Sequence, residues 1–98
     1  MPTYDYFPRF LADYAKLSRA DRGRFRRAVA DLVADLRRGQ GFRPGLRVKR
    51  VEDAPPGVFE MTWAPDGRAT FEYGQEQHPG EPHIVWRRVG SHDVFRRP

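Results

Sequence analysis

The sequence predicts an α+β fold in which an N-terminal α-hairpin packs on an antiparallel sheet of about four strands, in a single domain over residues 1–98. Two observations lead to this prediction. Up to residue 39, apolar residues recur every three or four positions, as on one side of an amphipathic helix. From residue 46 onward, apolar and polar residues tend to alternate between turns rich in proline and glycine, which is typical of antiparallel strands.

The first helix is predicted from five apolar residues at helical spacing. They are Phe7, Phe10, Leu11, Tyr14 and Leu17. They form one stripe, which is expected to face the sheet. Tyr4 and Tyr6 precede the helix at the period of a strand, and they favour a short edge strand.

The second helix has predictable ends. Ser18 is a suitable N-cap, and Gly39 is placed as the glycine that ends a helix in the left-handed conformation. Its apolar stripe is Phe25, Val29, Leu32 and Leu36. The other faces carry charges, namely Arg22, Arg24, Arg26, Arg27, Asp31, Asp35 and Arg37. Such charges indicate either a solvated surface or a partner-binding surface.

Four strands are predicted in the second half, over residues 46–51, 58–64, 68–73 and 83–89. The sequence Ala-Pro-Asp-Gly at 64–67 has proline and glycine where a type I turn favours them. Tight turns imply antiparallel pairing. One face of the sheet is then expected to cover the helices, and the opposite face is expected to be open to a ligand.

The charge balance favours an anionic partner. Eighteen Lys and Arg against 13 Asp and Glu give a net charge of +5, and all but Lys16 and Lys49 of the cations are arginines. Arginine makes forked contacts to phosphate, so nucleic acid is one expected partner class, with an acidic protein or a membrane surface as the others.

Several kinds of chemistry are not expected. The chain has no cysteine, which excludes disulfides and cysteine-based zinc sites, and its three histidines have no metal-ligand spacing. No metal and no cofactor are therefore expected. No apolar run suits a membrane span, and MPTYDYFPRF does not resemble a signal peptide, so a cytoplasmic location is expected.

Period-2 counting puts one polar residue of each strand on the face opposite its apolar residues. These are Lys49, Glu60, Arg68 and one of Arg87 and Arg88, with His92 beyond the last strand. Of the two adjacent arginines, one is expected to be paired structurally and the other exposed.

Three segments that follow the two helices carry a resemblance to a known family. LRVKRVEDAPPGVFEMTW, DGRATFEY and HIVWRRVGSHDVF, in this order, resemble the RelE/ParE toxin superfamily of type II toxin–antitoxin systems. The resemblance covers about residues 7 to 95 and is most specific at Gly67-Arg68 and at residues 89–93. It implies a small basic toxin, silenced by a cognate antitoxin, that either cleaves mRNA on the ribosome or inhibits DNA gyrase.

For the RelE-like branch, the resemblance implies an endoribonuclease with Arg68, His92 and Glu60 as catalytic residues. Metal-free cleavage requires removal of the 2′-OH proton, stabilisation of the charged phosphorane and protonation of the 5′-oxygen. Arg68 suits the second task, and His92 suits the first or third because its ordinary pKa is near neutrality. Glu60 is either the partner base or the residue that holds Arg68, with Lys49 as its other candidate partner. The products would be a 2′,3′-cyclic phosphate and a 5′-hydroxyl.

Four further residues are expected to bind RNA. Lys49 or Arg50, together with Arg88, would hold flanking phosphates. Phe95 stands where many RNA-cleaving members have a tyrosine, so it keeps the stacking ring but lacks the hydroxyl. That difference shifts proton transfer to His92 or implies weak activity.

Two alternatives to the nuclease remain. ParE-like gyrase inhibitors generally lack the combined His and Glu, which speaks mildly against that branch. The other alternative is a relative without chemistry that binds RNA or protein through its basic surface, and Phe95 keeps it open.

Overall fold

The computed structural model describes residues 2–52, 54–96 and 98, with the backbone alone at 95 and 96. Its elements are β1 (Thr3–Tyr6), α1 (Pro8–Lys16), α2 (Arg19–Arg38), a 3₁₀ turn (Pro44–Leu46), β2 (Lys49–Arg50), β3 (Val58–Thr62), β4 (Gly67–Tyr73), β5 (His83–Ser91) and a C-terminal 3₁₀ helix (His92–Arg96). The two helices pack on the sheet, so the predicted α+β class is confirmed.

The α-hairpin follows the local signals in the sequence. The Ser18 hydroxyl accepts the backbone N–H of Asp21 at 3.0 Å, and this cap begins α2. Gly39 ends the helix with φ 69°, a conformation that a residue without Cβ adopts at little cost. Both predicted helix ends are therefore confirmed.

The sheet has five strands in the order β1-β5-β4-β3-β2, and it is mixed rather than antiparallel throughout. β1 pairs with β5 in parallel, while the other neighbours are antiparallel. The extra strand is the segment around Tyr4 and Tyr6. It is fixed at its start by a 2.7 Å hydrogen bond between the Thr3 hydroxyl and Nδ1 of His83.

The predicted strand over 46–51 is mostly wrong, since only Lys49–Arg50 pairs with β3. Pro44 begins a 3₁₀ turn, which closes through the backbone N–H of Arg47 to the carbonyl of Pro44 at 3.0 Å. Arg47 then adopts a left-handed conformation with φ 49°. As a result β2 covers only Phe59 and Glu60 of β3, and the rest of that edge is not covered by β2.

The core lies between the helices and one face of the sheet. Met61, Ala69 and Phe71 of the central strands are inaccessible to solvent. Phe25 of α2 meets Trp86 of β5 edge to face, with ring centroids 5.3 Å apart. Leu11 departs from the predicted stripe, because it remains 49% exposed on α1.

The opposite face is covered in part, which corrects the expectation of an open surface. A Cβ on Gly90 would lie 3.1 Å from Val94, so the C-terminal 3₁₀ helix packs directly on the end of β5. Val94 is buried, and the buried hydroxyl of Thr70 donates to the main-chain oxygen of Pro98 at 3.0 Å. On the same face Lys49 is exposed and Thr62 and Arg68 are partly exposed, whereas Glu60 is buried.

Candidate functional site

The sheet register places two of the proposed catalytic residues on one face. Glu60 of β3 is opposite Thr70 of β4, and Arg68 is opposite both Thr62 and Gly90. Paired residues share a face, and residues two apart on a strand do as well. Glu60 and Arg68 therefore project from the side away from the helices, on neighbouring strands.

Glu60 is held by the short strand β2. Glu60 is 7% exposed. Its Oε1 lies 3.5 Å from Nζ of Lys49, which is directly opposite on β2. Of the two candidate partners, the structure thus supplies Lys49. The Lys49 side chain remains 67% exposed, so its ammonium group is accessible to an anion from solvent.

Arg68 is oriented by the turn that precedes it. Its Nη1 donates to the carbonyl of Gly67 at 2.9 Å and to those of Ala64 and Pro65 at 3.3 Å. These acceptors carry no net charge, so the guanidinium keeps its full positive charge while its position is fixed. Nε and Nη2 make no hydrogen bond to the described residues, which leaves donors for a phosphate.

His92 follows the last strand at the same end of the sheet. It is exposed and begins the C-terminal 3₁₀ helix, two residues after Gly90, the partner of Arg68. The register therefore brings His92 near the β4 end that carries Arg68. The Phe95 side chain lies outside the described part of the chain.

Arg88 is bound within the protein. Its Nε and Nη2 donate to the two carboxylate oxygens of Asp13 on α1, at 2.6 and 3.0 Å. These hydrogen bonds raise the pKa of the Arg88 guanidinium, against the effect of burial. Asp13 also accepts the backbone N–H of Val89 at 3.2 Å. Contact of Arg88 with RNA stays a prediction. It would require the Arg88 guanidinium to bind a phosphate and Asp13 at the same time.

The expected division between the two adjacent arginines is wrong, because both are paired and partly buried. Arg87 donates to Glu72 at 2.7 Å and to the main-chain oxygen of Pro98 at 3.0 Å, and its guanidinium lies 4.9 Å from the ring centroid of Phe7. A β-bulge between Thr70 and Phe71 shifts the register here. Arg88 is opposite Thr70 and Trp86 is opposite Phe71, so Arg87 has no register partner on β4 and the alternation of β5 is interrupted there. Arg50 is exposed on β2, opposite Phe59.

Sequence reasoning missed the residues that hold these groups. Asp13 binds Arg88, and Thr70 binds the main-chain oxygen of Pro98. Neither residue is distinctive in the sequence, because Asp on a helix and Thr on a strand are usually surface residues. Asp35 carried a usable signal. It lies three residues after Leu32 and next to Leu36 on the apolar stripe, so its placement on the solvated surface is wrong.

Among the described residues, no group of three or more histidines and carboxylates is arranged to hold a metal ion. Within the same residues, no helix combines the length and the apolar character that crossing a membrane requires.

Comparison with known proteins finds similarity in structure only. No protein-family model and no curated protein sequence matches the chain. The E. coli DinJ–YafQ complex matches with a TM-score of 0.67 at 13% identity, covering 96% of this chain and 97% of the other. A YoeB/ParE toxin from Agrobacterium tumefaciens matches at 0.64 and 13%, covering 92% and 98%.

A third match is another complex. The RelB–RelE antitoxin–toxin complex from Methanococcus jannaschii matches with a TM-score of 0.61 at 12% identity, covering 94% of both chains. The three matched structures are thus a YoeB/ParE toxin, an antitoxin–toxin complex and the DinJ–YafQ complex. The similarity spans nearly the whole chain, and the chain has the fold of the RelE/ParE toxins, as its sequence predicted.

Proposed function

We propose that this protein is the toxin of a type II toxin–antitoxin system and that it cleaves mRNA on the ribosome without a metal ion. One observation carries the proposal. In a RelE/ParE toxin fold, the sheet face away from the helices presents Glu60 and Arg68 on neighbouring strands, with His92 beyond the strand that pairs with Arg68.

Each residue has a role that suits its surroundings. Arg68, oriented by three carbonyls, offers its remaining donors to the phosphorane oxygens. His92, exposed at the rim, exchanges a proton with the 2′-OH or the 5′-oxygen. Glu60 orients Lys49 toward a flanking phosphate and accepts a proton if the ion pair opens.

Arg50 and Phe95 remain proposed RNA contacts. Arg50 is exposed next to Lys49 on β2, but its pairing with Phe59 places it on the other face of the strand, so an RNA contact there requires RNA that passes around the β2 edge. The ring of Phe95 is proposed to stack on a base. Arg88 would add a phosphate contact only by sharing its ion pair with Asp13.

The proposed regulator is a cognate antitoxin. An apolar groove of about 350 Å³ lies between α1, α2 and β1. At its rim Tyr4 is 69%, Tyr6 42% and Leu11 49% exposed. Two of the matched structures are toxin–antitoxin complexes. We therefore assign the groove to an apolar segment of the antitoxin, which would cover these side chains.

The test is cleavage of mRNA by purified protein on programmed ribosomes. Wild type is expected to yield fragments with 2′,3′-cyclic phosphate and 5′-hydroxyl ends in the presence of a chelator, whereas Arg68→Ala and His92→Ala lose at least about 100-fold in rate. Arg37→Ala, which removes an exposed arginine elsewhere, is the matched control. Intact message with folded wild-type protein would contradict the nuclease function.

A second candidate, a relative that binds without chemistry, is favoured by one observation. The Nη1 group of Arg68 is already satisfied by three carbonyls, so a purely structural role for this arginine accounts for its geometry. That candidate predicts that ribosomes or RNA bind normally and that no fragments appear.

A further inference from the structure

A second basic surface lies beside the candidate face, at the end of the β3–β4 hairpin. It is a cleft of about 600 Å³ between α2, the segment 43–47 and the hairpin, and we call it the arginine cleft. Its charged lining residues are Arg24, Arg27, Asp31, Arg43, Arg47 and Arg68.

Three of these guanidiniums are not neutralised. Arg24 pairs with Asp21 at 2.7 Å, and Arg43 pairs with Asp31 at 3.1 Å and with Asp35. In contrast, no carboxylate of the described residues lies in ion-pair range of Arg27 or Arg47, and Arg68 donates to neutral carbonyls. Unbalanced positive charge in a concave surface concentrates anions.

Arg47 adds independent evidence because its backbone is strained. It adopts φ 49°, a conformation that is unfavourable for any residue with a Cβ and that glycine adopts freely. Its carbonyl-capping role needs only the backbone N–H, which any residue except proline supplies. The presence of arginine here is therefore explained by its side chain, which lines the cleft.

We propose that the arginine cleft binds the sugar–phosphate backbone of single-stranded RNA that extends from the reacting phosphate. This inference deepens the proposed function and rests on it. Arg68 and Thr62 belong both to the cleft and to the candidate face, so the two surfaces are continuous.

The direction of the RNA follows from what covers the rest of the face. The C-terminal 3₁₀ helix and Pro98 pack over β4 and β5, and they obstruct that side. For RNA with a phosphate at Arg68, the hairpin end and the cleft are therefore an open path on the side away from this cover. Arginine forks match phosphate oxygens in pairs, and backbone contacts of this kind do not depend on the base.

The experiment measures binding separately from cleavage. The probe is a fluorescent single-stranded RNA with 2′-O-methyl riboses, which lacks the attacking hydroxyl and cannot be cleaved. Its affinity is measured by fluorescence anisotropy over a range of salt concentrations. Arg27→Ala and Arg47→Gly are each expected to weaken binding about 5- to 10-fold and to lower the slope of log K against log[salt] by about 0.7. Two unrelated sequences should respond equally.

Two variants serve as controls. Arg37→Ala removes the same charge from an exposed position of α2 outside the cleft, and it should leave the slope unchanged. Arg47→Gly relieves the backbone strain, so loss of binding with an unchanged or higher Tm is not a folding defect.

The outcomes separate this inference from the proposed function. If the cleft variants weaken RNA binding but the wild-type protein cleaves no mRNA, the nuclease function is overturned and RNA binding in the arginine cleft is supported. Equal affinities and slopes for Arg27→Ala, Arg47→Gly and Arg37→Ala would overturn the cleft, whether or not the protein cleaves. Unchanged RNA binding with lost antitoxin binding in the cleft variants would assign it to an acidic protein and would also overturn the inference.

Discussion

Asp35 holds the end of α2 to the loop that follows it. The residue is 1% exposed, and its carboxylate accepts the backbone N–H of Arg43 at 2.8 Å and two guanidinium N–H groups of the same residue at 3.0 Å. These hydrogen bonds, with the charges of Arg43 and Arg38, lower the pKa of Asp35 from 3.8 to about 2. The loop in turn leads to Arg47, so Asp35 shapes one wall of the arginine cleft.

The lowered pKa predicts a specific dependence of stability on pH. The folded state binds this proton less readily than the unfolded state, so the contribution of Asp35 is complete above about pH 5 and is lost as the pH falls from about 4 to about 2. Asp35→Asn should lower Tm by at least about 5 °C at pH 7 and flatten the decline in acid. Asp66→Asn, at an exposed turn residue, is the matched control. Identical acid profiles for wild type and Asp35→Asn would contradict this account.

Among the elements, an ion pair joins α1 to the part of β5 that β1 leaves uncovered. β1 covers β5 only as far as Trp86, so the backbone N–H of Val89 has no strand partner on that side and donates to Asp13 instead. The side chains of Arg88 and Asp13 are 21% and 12% exposed, which makes this contact more valuable than a surface pair.

A double-mutant cycle on Asp13 and Arg88 tests this attachment. Asp13→Ala and Arg88→Ala should each lower the free energy of unfolding, and the double variant should show a coupling of about 1–2 kcal/mol in urea denaturation. Arg24 and Asp21 provide a control cycle, since that pair is exposed and should couple by less than about 0.5 kcal/mol. Strict additivity for Asp13 and Arg88 would leave Arg88 available as a phosphate ligand.

Elements with strong local signals were predictable from the sequence, and elements decided by tertiary contacts were not. Ser18 and Gly39 fix the ends of α2 by backbone chemistry that residues nearby in sequence determine. The parallel pairing of β1 with β5 joins residues about 80 positions apart, which no local pattern reveals. The strand predicted around Leu46 is wrong because Pro44 begins a 3₁₀ turn there, although the residues that follow alternate as in a strand.

At the scale of the whole molecule, the sheet divides the protein into a supporting side and a basic side. The helices bury the apolar face, and the other face carries Glu60 and Arg68, with His92 at its edge. Alternation in the sequence predicted the face that Glu60 and Arg68 occupy. It did not predict the bulge at Thr70, the cover formed by the C-terminal 3₁₀ helix, or the arginine cleft, because these depend on packing between distant segments.

Mapping new mRNA 5′ ends within minutes of induced expression tests whether the basic face cuts mRNA, as proposed. Wild type is expected to stop growth and to produce cuts at codon-spaced positions in translated messages, whereas Arg68→Ala and His92→Ala do neither. Arg37→Ala should behave as wild type. Growth arrest by wild type without new 5′ ends would contradict the proposed nuclease function. So would cutting by the Arg68→Ala or His92→Ala protein at the wild-type level.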